Sequence, residues 1–185
     1  MNGEQALEKL LKMQFTTVLD LGSGAGEHAE KFKNCDKIVT TINLVPPADI
    51  VGDFMNHHRN YDCIWCCHVL EHQRNPGQFL EKCFNNLYNN GILAITVPPR
   101  KDEIVGGHLS IWNAGLLLYN LILAGFDCRK ASVKTYGYNV SVIVQKKKAK
   151  IESLEMDFGD IERLSEFFPF NAKHGFDGNI GEINW

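Results

Sequence analysis

The stretch Thr17-Val18-Leu19-Asp20-Leu21-Gly22-Ser23-Gly24-Ala25-Gly26 decides how this chain is read. A β-branched, apolar run stops at three alternating glycines, and helix-forming residues begin at Glu27. That order predicts a buried strand, a tight loop and a helix start. Gly22, Gly24 and Gly26 remove side chains where the polar part of a ligand would approach the backbone. Asp20, near the strand end, can accept hydrogen bonds from loop amides or face a cationic ligand group. A glycine turn with no ligand is the plain alternative. A dinucleotide site would want Gly-x-Gly-x-x-Gly and an acid about twenty positions later. Here the spacing is Gly-x-Gly-x-Gly, and the second predicted strand ends at Asn43.

Working outward, residues 4 to 14 place Ala6, Leu7, Leu10 and Leu11 on one helical stripe before the first strand. Strand two is predicted from Lys37 to Leu44, closed by Pro46-Pro47, and a short third strand precedes Gly52-Asp53-Phe54. Tyr61 to Cys67 is apolar nearly throughout, as suits a central parallel strand covered on both faces. A helix is predicted over 77 to 88, turning at Asn89-Asn90-Gly91 into strand five, Ile92 to Val97. After the loop Arg100 to His108 come a helix over 112 to 124 and strands over 126 to 133 and 138 to 145. The last two are close enough to form a hairpin. The fold class is α/β: a Rossmann-like, doubly wound, seven-stranded sheet with one antiparallel strand.

The predicted organisation is a core over residues 1–146 and a C-terminal segment over 147–185. In the latter, Leu154, Phe158, Ile161, Leu164 and Phe168 fall on one helical face before Pro169. An aromatic tail follows, offered as packing for the core, for a ligand cleft or for a second subunit in a homodimer. With 185 residues, 44% hydrophobic and 22% charged, the chain can bury a sizeable core. A net charge of −3 leaves no footprint for a phosphate backbone. No apolar run is long enough to span a bilayer and no signal-peptide pattern opens the chain, which points to the cytoplasm. Cys63 and Cys66 have C-x-x-C spacing, but strand alternation sends them to opposite faces, against a redox pair or a zinc knuckle.

Four stretches together resemble the class I S-adenosylmethionine (SAM) methyltransferases. Val18 to Gly26 resembles that family's motif I, and Asp53-Phe54 its acidic-aromatic pair beside adenine. Tyr61 to His72, ending in Leu70-Glu71-His72, is similar to its strand-four motif, and Leu87 to Pro98 to its strand-five stretch. The resemblance implies SAM as cofactor. It places the backbone of Gly22, Ser23, Gly24 and Gly26 at the methionine and ribose portion, and Asp20 near the amino group. It gives Asp53 and Phe54 to the adenine, and sets Cys67 and His68 beside the sulfonium. The family usually ends strand two with an acid that takes both ribose hydroxyls. Asn43 stands there instead, which implies cofactor binding weaker by about 1 kcal/mol.

Methyl transfer to oxygen or nitrogen needs an aligned nucleophile and a base. His72, His108 and Glu71 are the catalytic candidates, with His68 beside them. In one version, His72 or His108 is a general base without a metal. In another, His68-x-x-Glu71-His72 and His108 ligate a divalent ion, a spacing similar to the Glu-x-x-Glu-His site of metal-dependent RNA 2′-O-methyltransferases. A purely structural role is the third, and no metal is assigned. Arg100-Lys101 could meet an anionic group of the acceptor. The resulting expectation is a transferase that methylates an oxygen or nitrogen of a small molecule, a sugar or surface-polysaccharide precursor among them. A SAM-binding module acting through a partner is the alternative, and a nicotinamide oxidoreductase a weaker one.

Overall fold

The computed structural model describes residues 1–151 and 153–185. In chain order the elements are α1 (Glu4–Leu10), β1 (Thr17–Leu21), α2 (Glu27–Lys33), β2 (Ile38–Asn43), β3 (Ile50–Val51) and β4 (Tyr61–Cys67). Then follow α3 (Pro76–Asn85), β5 (Leu87–Val97), α4 (Ala114–Leu123), β6 (Ser132–Tyr136), β7 (Asn139–Gln145), α5 (Asp160–Leu164) and β8 (Glu182–Ile183).

The strands form one mixed sheet in the order β3-β2-β1-β4-β5-β7-β6-β8. The pairs from β3 to β5 are all parallel, and β7 is antiparallel to both β5 and β6. This is the doubly wound α/β sheet expected from the sequence. The C-terminal segment adds an eighth, two-residue strand antiparallel to β6. After β1 the chain winds outward to β2 and β3, then crosses back to lay β4 on the other side of β1. A crevice therefore opens at the carboxyl ends of β1 and β4.

Alternation along the central strands feeds two cores. Leu19, Leu21, Ile64, Cys66, Leu93 and Ile95 pack on the face covered by α3 and α4. Val18, Cys63, Trp65, Ile92 and Ala94 pack on the other, beneath Leu7 and Leu10 of α1 and Phe32 of α2. Cys63 and Cys66 do lie on opposite faces, and all six cysteines are free. Leu117, Leu118 and Leu121 of α4 are fully buried, each stabilising the fold by roughly 1.5–3 kcal/mol.

Several boundaries differ from the sequence reading. α3 ends at Asn85, because the Asn86 side chain donates to the carbonyls of His57 and Arg59 and its own carbonyl takes the Tyr61 amide. Asn89-Asn90-Gly91 is thus part of a long β5 and not a helix end. Phe126 makes only an isolated bridge to Lys148, so β6 begins at Ser132. The predicted helical face over 154 to 168 shrinks to α5 and one 3-10 turn, since Gly159 sits at φ 100 at the helix start. Phe158 is left exposed, while Phe167 and Phe168 are buried. Phe168, Phe170 and Phe176 contact one another with ring centroids 5.3–5.6 Å apart. Beside them the tail crosses α4 so closely that a Cβ on Gly115 would meet Gly178 Cα at 2.6 Å.

Candidate active site

β1 delivers the glycine loop to the crevice. Gly22 takes φ +66, and its amide donates to Ile42 O at 2.9 Å, tying the loop to β2. A Cβ there would lie 2.4 Å from Val69 Cγ2, so only glycine fits. Beyond β3, Asp53 turns the chain by accepting from Met55 N at 2.9 Å. Phe54 is buried edge-on against Phe79, 5.4 Å between centroids. These elements surround a cleft of about 520 Å³ whose walls include Gly22, Asn43, Asp53, Phe54, His68 and His72.

Five of the anticipated cofactor residues, Gly22, Asn43, Asp53, Phe54 and His68, thus meet at one cleft. Gly24 and Gly26 lie on the loop outside its walls, and Ser23 is buried with no partner for its Oγ. Asn43 Oδ1 accepts from Leu44 N at 3.0 Å. Cys67 does not reach the cleft: alternation turns it to the α1 face, where a Cβ on Gly3 would meet its Sγ at 2.9 Å. Asp20 lies beneath the loop at 1% exposure, with Oδ2 unpartnered. Burial pushes its carboxyl up to about 7, partly offset by the Ala29 amide.

The opposite wall is made where β4 ends. His68 takes φ 56, a left-handed conformation rare outside glycine, which breaks the strand and turns the chain. A 3-10 turn, Leu70–His72, follows. Glu71 points inward, 0% exposed, and neither carboxylate oxygen has a hydrogen bond. His68 Nδ1 and His72 Nε2 stand 3.4 and 3.7 Å from its Oε1. The Glu71 carbonyl accepts from Leu109 N at 2.7 Å, which latches the 105–110 loop and brings His108 alongside. The rings of His72 and His108 are 5.0 Å apart, edge to face. Glu71, His72 and His108 each offer a ligand atom, all within 4.8 Å of one another.

Two contacts fix the protons on this wall. His72 Nδ1 lies 2.8 Å from Gly107 O, an acceptor only, so Nδ1 carries a hydrogen, and in the neutral ring the lone pair is on Nε2. His68 Nε2 lies 3.1 Å from Asn139 Oδ1, which also accepts from Gly3 N. Burial works to lower the His68 pKa, but Glu71 and Asn139 outweigh it, and the net direction is upward. Beside His108 a smaller cavity of about 210 Å³ is lined by Pro98, Lys101, Ser110 and Tyr138 among others. Lys101 Nζ sits 4.6 Å over the Tyr138 ring.

Asn139 and the carbonyl of Gly107 escaped the sequence reading. Asn139 lies 71 positions from His68, and no local pattern joins them. Gly107 lies 35 positions from His72, and no local pattern joins them either.

Residues 4–119 match the family model described as a methyltransferase domain. The ubiquinone biosynthesis O-methyltransferase of Glaesserella parasuis serovar 5 is 30% identical over 103 residues, covering 43% of this chain and 44% of that protein. The match therefore spans less than half the length of that relative. The 1,6-didemethyltoxoflavin-N1-methyltransferase of Burkholderia thailandensis, solved with its namesake ligand and S-adenosylhomocysteine, superposes with a TM-score of 0.66 at 17% identity. It covers 78% of this chain and 77% of its own. A SAM-dependent methyltransferase from Archaeoglobus fulgidus gives 0.64 at 14% identity, covering 77% and 94%. At such identities the structures establish the shared fold, and the match over 4–119 establishes the rest: this chain belongs to the methyltransferase domain family, on the class I SAM-dependent fold.

Proposed function

We propose that this protein transfers a methyl group from SAM to an oxygen or nitrogen of a small molecule. The observation that carries the reading is the cleft at the β1/β4 crossover with a histidine-carboxylate cluster in its far wall. Its volume of about 520 Å³ is of the size that ligand pockets take. Unpartnered polar atoms on Asp20 and Ser23 beneath the glycine loop suit a ligand carrying an ammonium and hydroxyl groups.

In this reading Asp20 faces the amino group through the loop, and Gly22 lets the ligand approach the backbone. Asp53 accepts from the adenine amino group, and Phe54 borders the ring. Bound there, SAM supplies an electrophilic methyl group on a sulfonium. His68 and His72, in the wall, border the reacting end. The acceptor occupies the smaller cavity beside His108, with Lys101 placed for an anionic substituent. The acceptor's hydrogen falls to the Glu71–His72–His108 cluster, where His72 Nε2 presents a lone pair. The acceptor class is a small hydroxylated or amino compound, such as a sugar or surface-polysaccharide precursor. The compartment is the cytoplasm, and no helix among the described residues is long and apolar enough to cross a membrane.

Calorimetry with S-adenosylhomocysteine, followed by label transfer from methyl-labelled SAM into fractionated extract, tests the reading. Binding and label in the small-molecule fraction are the expected results. Absence of binding overturns the reading. Binding without label in any fraction favours a SAM-binding module that works through a partner.

A further inference from the structure

His68 is held at both ends of its ring by groups that accept. Nδ1 stands 3.4 Å from Glu71 Oε1, an ion-pair distance, and Nε2 lies 3.1 Å from Asn139 Oδ1. The other partners of Asn139 fix which end of its amide faces the ring. The Gly3 amide donates to Oδ1 at 3.0 Å, and Nδ2 donates to Tyr136 O at 3.4 Å. The atom facing His68 is therefore the oxygen, which has no hydrogen to give. A neutral imidazole satisfies only one of its two contacts and turns a lone pair on the other acceptor. A ring with hydrogen on both nitrogens satisfies both. Its charge also supplies the cation that a completely buried carboxylate at Glu71 requires.

We infer that Asn139 holds His68 as an imidazolium against Glu71 and is thereby a positioning residue for the base at His72. The backbone is fixed as firmly as the ring: at φ 56, the His68 amide donates to Thr96 O at 2.9 Å. The titratable groups facing the ring are Glu71 from its own turn, Tyr138 at 5.9 Å between ring centroids, and Lys101 over that tyrosine. Burial opposes a charged ring, but the contacts with Glu71 and Asn139 outweigh it. An imidazolium has no lone pair, so His68 is not the base. With Glu71 it forms a pair of no net charge, which does not repel a cationic ligand in the cleft that His68 lines. The base is left to His72, whose Nε2 lies 3.7 Å from the same Glu71 oxygen. As the acceptor's proton moves to Nε2, Nδ1–H stays on Gly107 O and the Glu71 carboxylate faces the new charge. Without the Asn139 oxygen His68 gives up its proton more readily, and Glu71 loses the cation that holds it beside His72. The role in transfer rests on the methyl-transfer reading; the state of the His68 ring does not.

The test uses the full chain with nitrogen-labelled histidines and nuclear magnetic resonance of the ring nitrogens, with His68→Gln to assign the signals. At pH 6.5, the ordinary value for a histidine, both His68 nitrogens should be mainly protonated. Asn139→Ala should lose the proton at lower pH than wild type. Asn139→Asp, which keeps an accepting oxygen, should lose it at higher pH. A bare His68 nitrogen in folded wild type at pH 6.5 overturns the inference, as does an unmoved titration in folded Asn139→Ala. Should the alanine variant fail to fold, an unmoved titration in Asn139→Asp overturns it. The positioning role is read from label transfer out of methyl-labelled SAM. Asn139→Ala should slow transfer roughly tenfold, with S-adenosylhomocysteine affinity within about twofold of wild type. Asn139→Asp should recover most of the rate. Equal losses of rate and affinity, or no recovery with aspartate, overturn the role. An imidazolium in a wild type that transfers no label upholds the ring assignment and counts against the methyl-transfer reading. Transfer by a wild type with a bare His68 nitrogen overturns the inference and leaves that reading standing.

Discussion

Two buried carboxylates lie near the carboxyl ends of β1 and β4, and the chain treats them differently. Asp20, beneath the glycine loop, has one backbone amide and, among the described residues, no cationic side chain as partner, and burial pushes it up to about 7. Glu71, in the far wall, is as deeply buried but is flanked by His68 and His72 and approached by His108. The first acid is left for whatever enters the glycine loop. The second is surrounded by groups that can share a cation with it. In the proposed function, one wall would meet a ligand with its own positive charge and the other would supply the chemistry.

The comparison is broken most sharply at Asp20. Unfolded, it ionises near its ordinary value of 3.8; folded, near 7. Between those values the folded state holds the extra proton, so its stability falls as pH rises from about 4 to 7 and levels off above. Three pKa units correspond to at most about 4 kcal/mol. Asp20→Asn should remove that decline, measured as the difference between variant and wild-type denaturant midpoints across the range. Equal pH profiles would mean that Asp20 does not titrate as placed.

Next in size is Gly22→Ala, which forces a side chain to φ +66 and into Val69. A cost of about 1–3 kcal/mol in thermal stability is expected, with at least roughly tenfold weaker S-adenosylhomocysteine binding. Calorimetry on the folded variant checks it. The same kind of substitution on the other wall should separate the two functions. Gly107 sits at φ +81, and a Cβ there would press on His72 Nδ1 at 3.2 Å. Gly107→Ala should leave S-adenosylhomocysteine affinity within about twofold, a change of about 0.4 kcal/mol, while methyl transfer falls roughly tenfold. Equal losses in both would show that the walls are not separate. The smallest expected effect is at the ribose end. Asn43→Asp adds a charge without moving the backbone, and should tighten S-adenosylhomocysteine by about 1 kcal/mol, or roughly fivefold.

The extent of what could be read in advance follows the same division. The glycine wall was legible because its parts are local. Gly22 and Asp20 lie on one strand-loop unit, and Asp53-Phe54 follows directly on β3. The far wall was legible only as a set of residue types. His68, Glu71 and His72 stand out by spacing, but spacing does not show the left-handed residue and the 3-10 turn that orient them. Cys67 was placed at the cleft, yet strand alternation turns it the other way. At the C-terminus, Gly159 at φ 100 cut short a helix that the apolar spacing had extended from Leu154 to Phe168.

By itself, then, the sequence determined the α/β class, the order of seven strands and the loop that opens the cleft. These follow from hydrophobic period and turn chemistry, which act over a few residues. Only the tertiary structure decided that His108 joins Glu71 and His72, that Gly107 O fixes the His72 tautomer, and that Asn139 holds His68. Those contacts join residues 35 to 71 positions apart, and only the packing of the whole sheet brings them together.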